Sequence, residues 1–162
     1  METLCIYHGN CFDGMASAWV VKRRYPNATL IHGNYGDLRL MSSLESDRLN
    51  GVLINTRIIL VDFSFPRDFM IKLKASCREF IVLDHHKTAQ ADCEGLDFCF
   101  FNMKEAGASL AWWYLFHPVP PPLLIQFIKD RDLWKFELKY SNEVNAYIQS
   151  FPMTIESYEN LY

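Results

Sequence analysis

Asp84-His85-His86 follows the apolar run Phe80-Ile81-Val82-Leu83 without a break. Aspartate and neutral imidazole are good ligands for Mn²⁺, Mg²⁺ or Zn²⁺. The same arrangement recurs along the chain: Ile58-Ile59-Leu60-Val61 runs into Asp62, and Leu4-Cys5-Ile6-Tyr7 runs into His8, with Asp13 shortly after it. A further pair of carboxylates stands in Asp130-Arg131-Asp132. His8, Asp13, Asp62, His85 and one aspartate of that pair come from separate segments. Asp62 is the natural bridge between two ions, because a carboxylate can give one oxygen to each. Two ions about 3.5–4 Å apart would clamp a water and a phosphoryl oxygen for in-line attack.

Each element also has an ordinary reading. Asp-His-His alone is a polar strand end, Asp62 before Phe63-Ser64-Phe65-Pro66 could cap a helix, and Asp13-Gly14 is a turn dipeptide. Asp132 could be surface charge beside a core tryptophan. Packing by itself does not explain why successive apolar runs all end in metal-competent side chains.

The elements that must position these groups alternate strand and helix signals, which predicts an α/β domain with a mostly parallel sheet. Strands are expected over 3–8, 28–32, 57–62 and 80–84, with a short one within 97–102. Helices are expected over 14–25, 38–49, from Pro66 onward, 106–117, 123–129 and from Ser141. Pro66 suits a first helical turn, since its φ is fixed and it has no N–H to satisfy. In such a sheet the strand ends carrying His8, Asp62 and His85 share one edge, where open α/β sheets build their sites.

Composition narrows the function. The chain has 162 residues, half of them hydrophobic, and a formal net charge of −3. That suits one domain of 1–162 with a real core and gives no basic face for long duplex nucleic acid. Short oligonucleotides or small phosphoesters remain open, with a metal supplying positive charge locally. Five cysteines without a C-x-x-C pair, no signal-like start and no membrane-length apolar stretch point to reduced thiols in a cytoplasmic protein.

His8-Gly9-Asn10-Cys11-Phe12-Asp13-Gly14, Val61-Asp62, Asp84-His85-His86-Lys87-Thr88-Ala89 and Asp130-Arg131-Asp132-Leu133-Trp134 resemble, in order, the four motifs of the DHH phosphoesterases. Gly107-Ala108-Ser109-Leu110-Ala111-Trp112 also resembles a segment of that family's oligoribonuclease-like branch. The resemblance implies a Rossmann-like parallel sheet sandwiched by helices and hydrolysis of phosphodiesters in short oligoribonucleotides or small nucleotides. It implies one or two ions, Mn²⁺ or Mg²⁺, held by His8, Asp13, Asp62, His85 and either Asp130 or Asp132. His86 would act on the substrate phosphate, with Asp84 orienting an imidazole. Apart from the resemblance, Lys87, Thr88 and Arg131 could contact phosphate or be ordinary solvated polar residues, and Ser109 is a further candidate substrate contact. A homodimer is left open, and no membrane partner is implied.

Two departures qualify the resemblance. The family's first motif carries Asp-x-Asp-Gly, and here the first aspartate is Cys11, a soft ligand better suited to Zn²⁺ than to Mn²⁺. Nothing after Asp132 resembles the Gly-Gly-Gly-His motif of the carboxyl-terminal substrate domain found in relatives, so the expectation is a catalytic domain alone. The alternatives are a catalytically weakened metal- or nucleotide-binding module, or a pyrophosphatase or phosphomonoesterase on the same scaffold. The four tryptophans, Trp19, Trp112, Trp113 and Trp134, are expected in the core rather than as base-stacking platforms. Tyr35-Gly36-Asp37 is expected to border the pocket, with Asp37 capping the helix after it.

Overall fold

β-Branched and aromatic runs that alternate between two faces build the sheet at the centre of the computed structural model, which describes residues 1–162. The strands are β1 (Glu2–His8), β2 (Thr29–Gly33), β3 (Thr56–Val61), β4 (Glu79–Asp84) and β5 (Cys99–Phe101), all parallel, in the order β2-β1-β3-β4-β5. The helices are α1 (Phe12–Arg24), α2 (Leu38–Leu49), α3 (Arg67–Ser76), α4 (Gln90–Cys93), α5 (Gly107–Phe116), α6 (Leu123–Asp132), α7 (Ser141–Gln149) and α8 (Ile155–Leu161). The fold is a Rossmann-like α/β sandwich, with the parallel sheet that the alternation predicts and the helices on both faces that the resemblance implies.

Side-chain period two divides each strand between two cores. Cys5, Ile59, Val61, Ile81 and Leu83 pack against α1, α5, α6 and α8 through Trp19, Trp112, Ile125 and Tyr158. Ile6, Ile58, Leu60, Phe80 and Val82 pack on the other face with Leu44, Phe69, Met70 and Leu73 from α2 and α3. Ile58, Ile59, Leu60 and Val61 of the central strand are all fully buried. Truncating Ile58, Ile59 or Leu60 to alanine would cost about 2–5 kcal/mol, so the strand ends sit on a well-packed base.

Several boundaries differ from expectation. α1 begins at Phe12, two residues early, so Asp13 lies in the first helical turn rather than in a free turn. α6 extends to Asp132, carrying Arg131 and Asp132 on helix. Pro66 precedes α3 as its cap residue instead of opening it. The 3₁₀ turn Lys87–Ala89, α4 and α8 had no clear periodic signal, being short elements held by tertiary packing. Asp37 does cap α2, accepting from the Leu40 N–H at 3.0 Å. Cys5, Cys11, Cys77, Cys93 and Cys99 are all unpaired. No helix is long and apolar enough to cross a membrane.

The sheet order places a topological switch point between β1 and β3: the chain leaves β1 toward β2 on one side and returns to β3 on the other. Ligand crevices of open parallel sheets form outside the carboxyl ends of strands at such a point. His8 ends β1 and Asp62 follows β3, so these two side chains stand on either side of it.

Candidate metal centre

Backbone conformation aims the first of these groups. Asp62 has φ 64°, a left-handed conformation that aspartate tolerates better than most residues but still at a cost. Its N–H donates to the Leu83 carbonyl at 2.9 Å, tying the turn after β3 to β4. The side chain is fully buried. Its Oδ1 lies 3.1 Å from His85 Nε2, whereas its Oδ2 faces His8 Nδ1 at 3.4 Å without forming a hydrogen bond. Asp62 Oδ2 and His8 Nδ1 are thus buried polar atoms with no hydrogen-bond partner. Orphaned buried polar atoms are costly and point to a ligand that satisfies them.

His85 Nε2 is the hub of the deeper half. Besides Asp62 it approaches Asp132 Oδ2 at 3.6 Å and Asp13 Oδ2 at 3.7 Å. One imidazole therefore faces three carboxylates, and even when protonated it neutralises only one charge. Burial pushes the Asp13 carboxyl up, and the charges of Asp62 and Asp132 push it further. Asp132 is raised by burial and by Asp62, against the opposing pull of His85. Burial would also raise Asp62, but the nearby His8 imidazole and the hydrogen bond with His85 overcome it and hold the carboxyl below its usual range. The group chemistry fits a hard divalent cation, and Asp13, Asp62 and His85 present ligand atoms within 4.8 Å of one another.

Asp13 is held by an unexpected element. Its carboxylate accepts the Gly107 N–H at 2.5 Å and the Ala108 N–H at 2.9 Å, at the amino terminus of α5. Those N–H groups have no partner within the helix, and the helix dipole favours an anion there. A Cβ on Gly107 would come within 2.7 Å of Asp62 Oδ1 and Cβ, so only glycine lets α5 approach this closely. Gly14 has a matching constraint: a Cβ there would lie 2.1 Å from the His8 carbonyl oxygen, where α1 crosses the end of β1.

The shallower half comprises His8, Asp62 and His86, whose ligand atoms also lie within 4.8 Å of one another. Asp84 organises it from behind. Its buried carboxylate accepts the His85 and His86 N–H groups at 2.7 and 3.1 Å, His86 Nδ1 at 2.9 Å, the Tyr35 hydroxyl at 3.3 Å and the Ser64 hydroxyl. Nδ1 is therefore the protonated nitrogen of His86 and Nε2 its remaining hydrogen-bonding atom. The Asp84 hydrogen bond raises the His86 pKa. Tyr35 also packs edge-on against His8 and His86, with ring centroids 5.8 Å away in each case. Cys11 borders the site immediately before α1, and burial followed by the Asp62 charge pushes its thiol pKa up.

The structure thus gathers His8, Asp13, Asp62, Asp84, His85, His86 and Asp132 at one rim, and it separates Asp130 and Ser109 from them. Asp130 points into the loop after α6, where its carboxylate accepts the Glu137 and Leu138 N–H groups at 3.0 and 3.2 Å. Asp132 is the member of that pair that reaches the cluster. Ser109 is fully committed to its helix end, accepting the Ala106 N–H at 3.0 Å and donating to the Ala106 carbonyl at 2.9 Å. It is a cap, not a substrate contact. Lys87 is exposed on the turn after His86, and Arg131 lines the adjoining cleft. Sequence reasoning did not find Ser64 or the role of the Gly107 and Ala108 N–H groups, because backbone donors carry no residue signature. Trp19 and Trp112 are core residues, but Trp113 and Trp134 are exposed, Trp134 by 78%.

No family model matches the chain. It is similar to an uncharacterized protein of Acanthamoeba polyphaga mimivirus, 30% identical over an alignment of 150 residues that covers 88% of this chain and 36% of that protein. Its fold is similar to the crystal structure of an uncharacterized protein from Helicobacter pylori, with a TM-score of 0.74 at 18% identity, over 91% of this chain and 48% of that one. The chain thus spans about a third of the length of the viral relative and half of the bacterial structure.

Proposed function

We propose that the chain carries a divalent-metal-dependent phosphoesterase centre that hydrolyses phosphodiesters of short oligoribonucleotides or small nucleotides. One observation carries the reading: Asp62 Oδ1 lies 3.1 Å from His85 and Oδ2 lies 3.4 Å from His8, and the carboxylate belongs both to a group with Asp13 and His85 and to one with His8 and His86. That is the placement a carboxylate shared between two ions needs, and the four ordered motifs that resemble the DHH phosphoesterases support it. Mn²⁺ or Mg²⁺ bound there would polarise a phosphoryl oxygen and acidify the attacking water.

The chain's own residues supply the rest. Asp13, Asp62, His85 and Asp132 would hold the deeper ion, with α5 fixing Asp13. His8 and Asp62 would hold the shallower one. Asp84 accepts the hydrogen bond from the His86 Nδ1–H and favours the imidazolium, and in that doubly protonated form the His86 Nε2–H can donate to a phosphoryl oxygen or protonate the leaving oxygen. Arg131 would bind a phosphate of the substrate beside the cluster.

Hydrolysis of a dinucleotide in Mn²⁺, measured for the wild-type protein, Asp62→Ala and His86→Ala, tests the proposal. Both variants are expected to lose activity by about 10²-fold or more, the scale for removing one electrostatic stabiliser. Equal rates in all three proteins would sink it.

Cys11 favours a second reading, a metal- or nucleotide-binding module with little turnover. Its sulfur is a soft ligand, poorly suited to a hard cation, where the resembling family has a carboxylate. Calorimetry showing Mn²⁺ and nucleotide binding without hydrolysis supports the module; hydrolysis rejects it. Parallel assays with pyrophosphate and a mononucleotide distinguish a pyrophosphatase or phosphomonoesterase.

A further inference from the structure

Arg131 and Trp134 lie beside the acidic and imidazole cluster without joining it. Both line a cleft of about 440 Å³ whose wall also includes His8, Asp13 and Asp132. Trp134 is 78% exposed, an unusual state for the largest apolar side chain. The loop that presents it is nevertheless tightly built. The Trp134 N–H donates to the Arg131 carbonyl at 2.8 Å, and those of Lys135 and Phe136 donate to the Asp130 carbonyl at 2.9 and 3.4 Å. The next two N–H groups go to the Asp130 carboxylate. Four successive backbone donors therefore converge on one buried aspartate.

Trp134 and Phe136 both adopt left-handed φ, 56° and 51°, which bulky side chains rarely do. Strained residues of this kind persist where the surrounding structure determines them, and they cluster at ligand sites. The Phe136 ring braces the indole edge-on, 5.0 Å between centroids at 81°. Arg131 is half-buried between two aspartates in sequence, yet its guanidinium makes no ion pair or hydrogen bond. Asp130 is engaged by the loop and Asp132 by His85. An unpaired guanidinium and a braced, exposed indole on one cleft suit a ligand that has both an anion and a flat ring.

We propose that Arg131 and Trp134 form a nucleotide subsite in which the guanidinium holds a phosphate and the indole stacks on the attached base. The proposal rests on the phosphoesterase reading and sharpens it: the preferred substrate has a nucleobase next to the phosphate that is cleaved. Stacking tolerates any base, so base identity is read weakly at this position.

Calorimetric titration with adenosine 5′-monophosphate, ribose 5-phosphate and adenosine, in Mn²⁺, tests the subsite. The wild-type protein is expected to bind the nucleotide about tenfold or more tighter than the sugar phosphate, the scale of one base–aromatic stack. Trp134→Ala should abolish that difference, and Trp134→Tyr should keep most of it. Arg131→Gln should weaken both phosphates by a similar factor and leave adenosine unchanged. Equal wild-type affinity for nucleotide and sugar phosphate, or a difference that survives Trp134→Ala, overturns the subsite. Dinucleotide hydrolysis run in parallel keeps the two ideas apart. Trp134-dependent binding without hydrolysis supports the subsite and removes the hydrolase; hydrolysis with base-independent binding does the reverse.

Discussion

The deep and shallow halves of the cluster share Asp62 but are built differently. The deep half, Asp13, Asp62 and His85, is buried throughout and braced by backbone: the amino terminus of α5 holds Asp13, and close packing at Gly107 holds Asp62. The shallow half uses imidazoles with side chains 23% exposed at His8 and 32% at His86, oriented by side-chain hydrogen bonds from Asp84 and ring contacts with Tyr35. Rigid backbone positions a carboxylate with little freedom, whereas a ring held by one hydrogen bond keeps more. Under the proposed metal reading, a centre made this way would hold one ion firmly and a second one loosely, with Cys11 adding to that asymmetry.

The largest test removes one half at a time. Under the proposed reading, His85→Ala eliminates tight Mn²⁺ uptake, whereas His8→Ala retains one ion per chain by metal analysis after gel filtration. Equal stoichiometry in the two variants would erase the distinction. Next in size is Gly107→Ala. Its added methyl group must displace Asp62 or α5, so a stability loss of about 1–3 kcal/mol is expected by denaturant unfolding. Mn²⁺ affinity should fall with it, and an unchanged midpoint and affinity would show that α5 does not set the deep half.

Asp84→Asn probes the shallow half. An amide presents an N–H₂ group to the donors that Asp84 accepts, so His86 loses its orientation. Activity or weak-site metal affinity should drop about 10–100-fold, the usual effect of losing an outer partner, with the tight ion retained. Loss of the tight ion instead would mean that Asp84 supports both halves.

Asp130→Asn should have the smallest effect on metal. Burial opposes the Asp130 charge, but the Ser141 hydroxyl and the Glu137 and Leu138 N–H groups overcome it and hold the carboxyl below its ordinary value. A carboxyl depressed in the folded state contributes stability that is complete above its unfolded pKa of about 4 and is lost as pH falls through the folded value. The variant should be about 1–2 kcal/mol less stable at neutral pH, with the gap closing under acid conditions. Tight Mn²⁺ binding should be untouched, and its loss would reinstate Asp130 as a ligand.

Much of this was legible along the chain. Apolar runs four or five residues long predicted the strands, and parallel strands align their carboxyl ends, so His8, Asp62 and His85 had to share a rim. The choice between Asp130 and Asp132 was not legible, because both lie at the end of α6 and direction depends on the loop that follows. Ser109 looked like a substrate contact for a related reason: a hydroxyl at a helix start reads the same whether it caps the helix or faces a ligand. Trp134 looked like core because composition favours burying indole, and only the left-handed turn after α6 carries it outward.

The sequence by itself determined the strand–helix alternation, the parallel sheet and the residue types at its carboxyl edge, since side-chain periodicity and strand-end chemistry are local properties. The tertiary structure alone decided that Asp62 faces two ligand groups, that α5 donates to Asp13, and that Asp132 enters the cluster while Asp130 organises the loop. Those outcomes depend on the direction of single carboxylates across elements distant in the chain, and direction is set by packing and backbone hydrogen bonds that leave no mark in residue order.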